Sequence, residues 1–400
     1  MNKSKGKVFY IGNFAFPKGN AAGIRVLNNG YLLRKLGYDV SFIGHNNSKK
    51  ISSNTDNSFE NYDGFEFLSL IYPKSTKEWF FISHKLNIVK DVLDRSSPTF
   101  IVLYGSLSNA FFTYFLIKWC RKRKITVYTD CVDWLHISSN SVFFKVFKTF
   151  DTYLRTRYFN ALSDGVITIS SYLNNYYRSL GVATVTIPPL NCINKDSRCS
   201  KQDCNGKIKL FYAGNPFTLN VKNARPESFK DRLDLILDYL GELTEFDFLF
   251  NIYGLTKDEY LQTVSWHVNL VNRLESKVIF HGKVDNVIAT SSLKESHYIV
   301  LLRHSNRMTN FGFPSKISES IGYGIPAITT RTSDLDKYIS DGVSGHFIDI
   351  DDFNRGCNQL KLIFEKHAVN YSNILKASQA ENSLHYSNFQ GALEEFLSVK

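Results

Sequence analysis

The 400-residue sequence contains no run of about 18 apolar residues, and that absence argues against a membrane-spanning helix. Six cysteines occur without a single C-x-x-C pair, and the spacing of Cys192, Cys199 and Cys204 fits no common zinc pattern. The opening MNKSKGKVFYIGNF is basic, but the apolar run before Gly12 is too short for a secretory signal and reads as a first strand. The thiols are therefore expected to be reduced, in a cytosol. Solenoid repeats, low-complexity tracts and recognisable nucleic-acid motifs are all missing, so no nucleic-acid partner is expected.

A dinucleotide fingerprint is missing as well. The first strand, loop and helix carry Gly12, Gly19 and Gly23, which do not make G-x-G-x-x-G. The second strand ends in Gly44-His45, with no acidic residue for an adenosine ribose. This argues against a nicotinamide-dependent reductase. Gly19 and Gly23 bracket a helix start, where backbone N–H groups can face an anion or simply allow a tight turn and close packing.

What is present is an ordinary soluble composition, 43% hydrophobic and 21% charged, with 32 Phe and 22 Tyr. Its length exceeds what one core organises, which predicts two domains. The formal charge of +11 is unevenly spread. Residues 1–195 hold 25 Lys and Arg against 12 Asp and Glu, and residues 196–400 hold 23 against 25. An anionic partner for the first half is one explanation, and ordinary solvated lysines are the other.

Short Val-, Ile-, Phe- and Tyr-rich runs alternate with helix-like segments along the whole chain. In the first half they are KVFYIG, DVSFIG, FEFLSL, TFIVLYG, KITVYTD, GVITIS and TVTI. In the second they are IKLFYAG, DFLFNIYG, KVIFHG, HYIVLLR, PAITT and GHFIDI. Near-continuous apolar runs alternating with helices predict parallel strands covered on both faces, hence two doubly wound α/β domains. The polar stretch PPLNCINKDSRCSKQDCNGK separates the two series. The expected division is a domain over residues 1–190, a linker over 191–206, a second domain over 207–375, and a C-terminal amphipathic helix over 376–400. Ligands of such sheets bind beyond the carboxyl ends of the strands, and two facing sheets would make one cleft.

The most informative stretch is NFGFPSKISESIGYGIPAITT, residues Asn310 to Thr330. It reads as a loop, about two turns of helix and a buried strand. Ser315 is placed to cap the helix, after Pro314. Lys316 puts a cation in the first turn, where it opposes the helix dipole unless an anion sits there; a diphosphate fits. Glu319 lies one turn after Ser315, on the same face, and a carboxylate there can accept from two vicinal ribose hydroxyls. The alternative is a surface helix with a routine charge pair.

FPSKISESIGYGIPAITTRTSDLDKYISDGVSG resembles the donor-binding segment of retaining GT-B glycosyltransferases of the family-four type, which build bacterial surface polysaccharides. LFYAGNP and FKDRLDLIL resemble that family's strand, glycine turn and Lys-Asp before a helix, at Gly214, Lys230 and Asp231. VIFHGKV resembles that family's next strand, and GVITISSYLNNYY, residues 165–177, resembles the last helix-strand unit of its acceptor domain. The family's glutamate pair is incomplete: Glu319 matches the second, but Phe311 stands eight residues earlier, with Asn310 the nearest polar side chain.

The resemblance implies a GT-B fold and transfer of a sugar from a nucleotide-diphosphate sugar, a UDP-sugar favoured, to a saccharide or polyprenyl-linked acceptor with retention. It implies no cofactor and no metal. Lys230, Lys316, Ser315, Gly214 and Arg303 would stabilise the leaving diphosphate, Glu319 the ribose, with Gly19 and Asn310 as further donor candidates. VYTDCVDWLH offers Asp130, Asp133 and His136 on the acceptor side, Asp133 also as a catalytic contact or a helix cap. The Asp349–Asp351 triplet, superficially a metal motif, is better explained by capping of the next helix. GT-B chains often return the last helix to the first domain.

FFTYFLIKWCRKRK and SVFFKVFKTFDTYLRTRYF combine aromatic and basic residues at helical spacing. They predict peripheral contact with an anionic membrane at its cytoplasmic face, unless the aromatics simply face the sheet. A sugar-nucleotide 2-epimerase of the same fold and a non-catalytic nucleotide-sugar-binding protein are the rival functions.

Overall fold

β-Branched and aromatic runs make strands because their side chains pack well on a pleated surface buried on both faces. The computed structural model describes residues 4–17, 19–46, 58–71, 83–105, 110–134, 142–198, 206–219 and 225–398, and in it each of the apolar runs forms a strand. The chain divides into two compact units. One comprises residues 1–190 and 386–400, the other residues 191–385.

Unit 1 holds β1 (Lys7–Ala15), β2 (Asp39–Asn46), β3 (Glu60–Tyr62), β4 (Phe65–Ile71), β5 (Phe100–Gly105), β6 (Thr126–Cys131), β7 (Gly165–Thr168) and β8 (Thr184–Thr186). Their order in the sheet is β3-β4-β2-β1-β5-β6-β7-β8. All pairings are parallel except β3 with β4, a hairpin the sequence reading did not anticipate. Its two-residue turn, Asp63-Gly64, has positive φ at both positions, the Asp-Gly solution that matches strand twist. Phe9, Ile11, Ile101 and Leu103 of the sheet pack with Val89, Leu93 and Leu116 of two covering helices.

Unit 2 holds β9 (Ile208–Ala213), β10 (Phe248–Tyr253), β11 (Val278–Gly282), β12 (Tyr298–Leu301), β13 (Ala327–Thr329) and β14 (Gly345–Phe347). The sheet is wholly parallel, ordered β11-β10-β9-β12-β13-β14. Leu210, Tyr212, Phe250 and Ile252 form its core with Leu233, Ile236 and Leu240 of the helix Leu233–Glu242. In each unit the strand order reverses at the first strand, next to β5 in one and β12 in the other. That reversal marks the switch point where open α/β sheets bind ligands.

The last segment is not one helix from residue 376. The helix His367–Ala380 ends within unit 2, and the helix Gln390–Ser398 belongs to unit 1. There the Phe396 ring lies 5.0 Å from that of Tyr128, the two planes inclined at 50°, and Glu394 pairs with Lys5 at 2.8 Å.

Candidate functional site

In unit 2, β9 ends at Ala213 and the chain turns through Gly214. A Cβ at Gly214 would lie 3.2 Å from the Tyr212 hydroxyl and 3.6 Å from Asp231 Oδ2. The backbone N–H groups of Lys230 and Asp231 both donate to the Pro216 carbonyl, at 2.9 and 3.1 Å. Arg232 N–H donates to Leu302 O at 2.8 Å, tying this loop to the end of β12. Lys230 is exposed.

Asp231 is buried and fully engaged. Arg303 Nε donates to Oδ1 at 2.7 Å and the Tyr212 hydroxyl donates to Oδ2 at 2.8 Å. Burial, reinforced by the Asp231 carboxylate, pushes the Tyr212 phenol well above its ordinary pKa, so it remains a donor. Arg303 is itself buried, its backbone held by the Thr330 hydroxyl in both directions. The cation expected for a ligand is thus matched within the fold at Nε.

The helix Ser315–Tyr323 connects β12 to β13. Ser315 does not cap it. Pro314 occupies the cap position, where it supplies no side-chain bond, and Ser315 is already helical. A cap needs its oxygen one residue before the first turn, so the expected role fails by one position. Gly324 ends the helix with φ of 71°, the left-handed stop expected of glycine.

Lys316 Nζ and Glu319 Oε2 lie 2.8 Å apart, an i,i+3 pair, both side chains half-buried. The Thr290 hydroxyl of the helix Asn286–Lys294 donates to Glu319 Oε1 at 3.2 Å. The two groups expected to take separate parts of a ligand are here each other's partners. Such a partly exposed pair contributes about 0.2–1 kcal/mol, little enough for a phosphate or a diol to displace. Asn310 Nδ2 donates to Ser305 Oγ, and its Oδ1 accepts from Ser333 N–H at 3.1 Å.

In unit 1, Asp130 cannot touch an acceptor, because it has no exposed surface. It accepts from Arg25 NH2 at 2.7 Å, from Arg25 Nε at 3.0 Å and from the Tyr10 hydroxyl. Arg25 NH1 also donates to Pro188 O at 3.1 Å. The phenol of Tyr10 is pushed well above its ordinary pKa by burial and by Asp130. Asp130 is therefore a structural node. Asp133 follows β6 and is partly exposed, and His136 lies outside the described residues.

Gly19 offers no spare donor, since its N–H goes to Ala15 O at 3.0 Å. Gly23 N–H goes to Asn20 Oδ1, the cap of the helix Ala21–Lys35. A Cβ on Gly23 would fall 2.1 Å from Ala15 O, so close packing explains the glycine. Nor does the Asp349–Asp351 triplet cap the next helix. Asp352 does, accepting from Arg355 N–H at 2.7 Å, while Asp349 pairs with Arg355 at 2.9 Å.

Residues missed from sequence include Arg25, Asn28, Tyr212 and Thr290. Arg25, Asn28 and Asn29 share one helix face, and all three are buried. A polar stripe of that kind reads as the solvated side until the packing is seen.

Residues 220–361, which span the Lys316 helix, match a family model. Its description is Glycosyl transferases group 1. No curated protein matches the sequence. Among solved structures, sucrose-phosphate synthase from Thermosynechococcus elongatus superposes with a TM-score of 0.68 at 13% identity, over 98% of each chain. HepE from Anabaena in complex with UDP-glucose gives 0.62 at 11% identity, over 99% of this chain and 100% of HepE. UDP-GlcNAc 2-epimerase from Neisseria meningitidis bound to UDP-GlcNAc gives 0.56 at 13% identity, over 98% and 99%. The fold is GT-B.

Proposed function

We propose that this protein is a glycosyltransferase of the retaining, family-four type. It moves a hexosyl group from a nucleotide-diphosphate sugar, a UDP-sugar favoured, to a hydroxyl of a saccharide or lipid-linked saccharide. The observation that carries the reading is the Lys316–Glu319 pair at a helix start with no side-chain cap, inside the segment that matches the group 1 model.

In this mechanism the bond from the sugar C1 to the diphosphate breaks, and negative charge gathers on the leaving oxygen. Lys316 Nζ, the first N–H groups of its helix and the exposed Lys230 stabilise that charge electrostatically. Glu319, supported by Thr290, turns from Lys316 to the ribose hydroxyls. The acceptor oxygen attacks from the departing side, and its proton passes to the diphosphate oxygen. Asp133 is the acceptor-side candidate retained from the sequence. We extend the reading to surface-polysaccharide synthesis in the cytoplasm.

The deciding experiment incubates the protein with UDP-, GDP- and TDP-sugars, with and without saccharide acceptors, and resolves the products. Acceptor-dependent release of nucleoside diphosphate is the expected result. Conversion of the free nucleotide sugar without any acceptor would assign the 2-epimerase reaction instead, and no reaction with any donor would leave only binding.

A further inference from the structure

We propose that the outward faces of the helices Ala110–Lys122 and Val142–Leu154, with the π-helical turn Arg155–Phe159 that continues the second, form a surface that docks on an anionic lipid bilayer. The aromatics of these segments do not all face the sheet. The first helix buries Phe112, Leu116 and Ile117, which settles its inner side. Phe111 and Phe115, one turn apart, remain 50% exposed each, and Lys118 and Lys122 continue the same outer stripe. On the second helix Val146, Phe150 and Tyr153 follow at i, i+4 and i+7, with Val146 63% and Phe150 55% exposed.

The two faces are linked. The Phe159 ring lies 4.9 Å from Tyr114 and 6.1 Å from Phe111, while Tyr158 contacts Tyr153 at 5.8 Å. Cations sit among the rings: Lys118 Nζ is 4.7 Å from the Tyr114 centroid, and the Arg157 guanidinium is 5.1 Å from that of Tyr153. The two helices contain one carboxylate, Asp151, and it is buried, accepting the Ala110 N–H at 3.1 Å.

The charge of the whole molecule favours the same occupant. Unit 1 holds 25 Lys and Arg against 14 Asp and Glu, and unit 2 holds 23 of each, so the entire surplus of +11 lies on the unit that carries this face. A second copy would oppose cation to cation. An anionic bilayer accepts both features, with rings at the headgroup level and Lys and Arg on lipid phosphates. No helix among the described residues is long and apolar enough to cross a membrane, so the contact is on the surface. Delivery of a lipid-linked acceptor by this contact rests on the proposed glycosyl transfer, whereas the docking itself does not.

The test is co-sedimentation of the full chain with vesicles of phosphatidylcholine alone or mixed with phosphatidylglycerol, at low and high salt. Binding is expected only with phosphatidylglycerol, and to weaken as salt rises. Phe111→Ser with Phe115→Ser, and separately Lys118→Glu with Lys122→Glu, should each weaken binding by about tenfold or more without moving the melting temperature. Undiminished binding by both variants, or none by the unaltered chain, overturns the proposal. Self-association in sedimentation velocity, abolished by the Phe variant and without vesicle binding, also overturns it by assigning the face to a second copy. Stabilisation by a nucleotide sugar, measured in parallel, reports on unit 2. Its failure alongside normal vesicle binding would sink the glycosyltransferase reading and leave the docking standing.

Discussion

Asp231 accepts the Arg303 Nε–H at 2.7 Å and thereby ties the loop after β9 to the end of β12 at the switch point of unit 2. Both partners are buried. Asp231→Ala would strand the guanidinium and leave the Tyr212 hydroxyl without its acceptor. A loss of about 3–5 kcal/mol in stability is expected, read from urea unfolding, because a lone buried charge costs more than the pair contributed.

Lys316 and Glu319 predict the opposite combination. Lys316→Ala should lower turnover by about 10²–10³ while shifting stability by less than about 1 kcal/mol. Glu319→Ala should weaken nucleotide-sugar binding by calorimetry, again with little change in melting. Normal turnover and affinity in both variants would refute the assignment.

Asp130 separates fold from chemistry. As a buried partner of Arg25, Asp130→Asn should destabilise the protein by about 3 kcal/mol or more. The fraction that remains folded should keep its KM for acceptor. A selective rise in KM with unchanged stability would restore the acceptor role read from the sequence.

His367 sets an acid limit. Burial, with a further contribution from His297, lowers its pKa from 6.5 to about 4. The unfolded chain therefore binds this proton at higher pH than the folded one. The stabilisation is fully present above pH 6.5 and is lost as pH falls toward about 4, a change on the order of 3 kcal/mol. Below that it changes no further. Chemical denaturation across this range should show the slope, and His367→Phe should flatten it.

At Gly23 the added methyl would meet backbone, not a movable side chain, at 2.1 Å. Gly23→Ala is expected to cost about 1–3 kcal/mol by forcing β1 and its helix apart, measured by thermal melting. A neutral substitution would reopen the anion-binding reading of that turn.

The strands were legible because parallel sheets buried on both faces demand continuous apolar runs, and such runs can be seen residue by residue. The hairpin of β3 was passed over, although Asp63-Gly64 signals it, since ENY has little apolar content. At the site, sequence spacing located Lys316 and Glu319 on one helix face but not their mutual pairing, which depends on rotamers. Ser315 and the Asp349–Asp351 triplet each missed a cap by a single residue, the usual uncertainty of helix ends. Asp130 and Arg303 look like available charges in the sequence because burial of a charge is invisible until its partner, Arg25 or Asp231, comes in from a distant stretch of chain.

Unit 1 is assembled from two separate stretches, with Phe396 set against Gly165, where a Cβ would come within 2.7 Å of its ring. A ribosome releases residues 191–385 as one uninterrupted block, free to fold as soon as it emerges. The earlier-made unit is completed only afterwards: Tyr128 of β6 and Gly165 of β7 lack the Phe396 ring until residues 386–400 have emerged as well. Birth order and completion order are reversed along this chain.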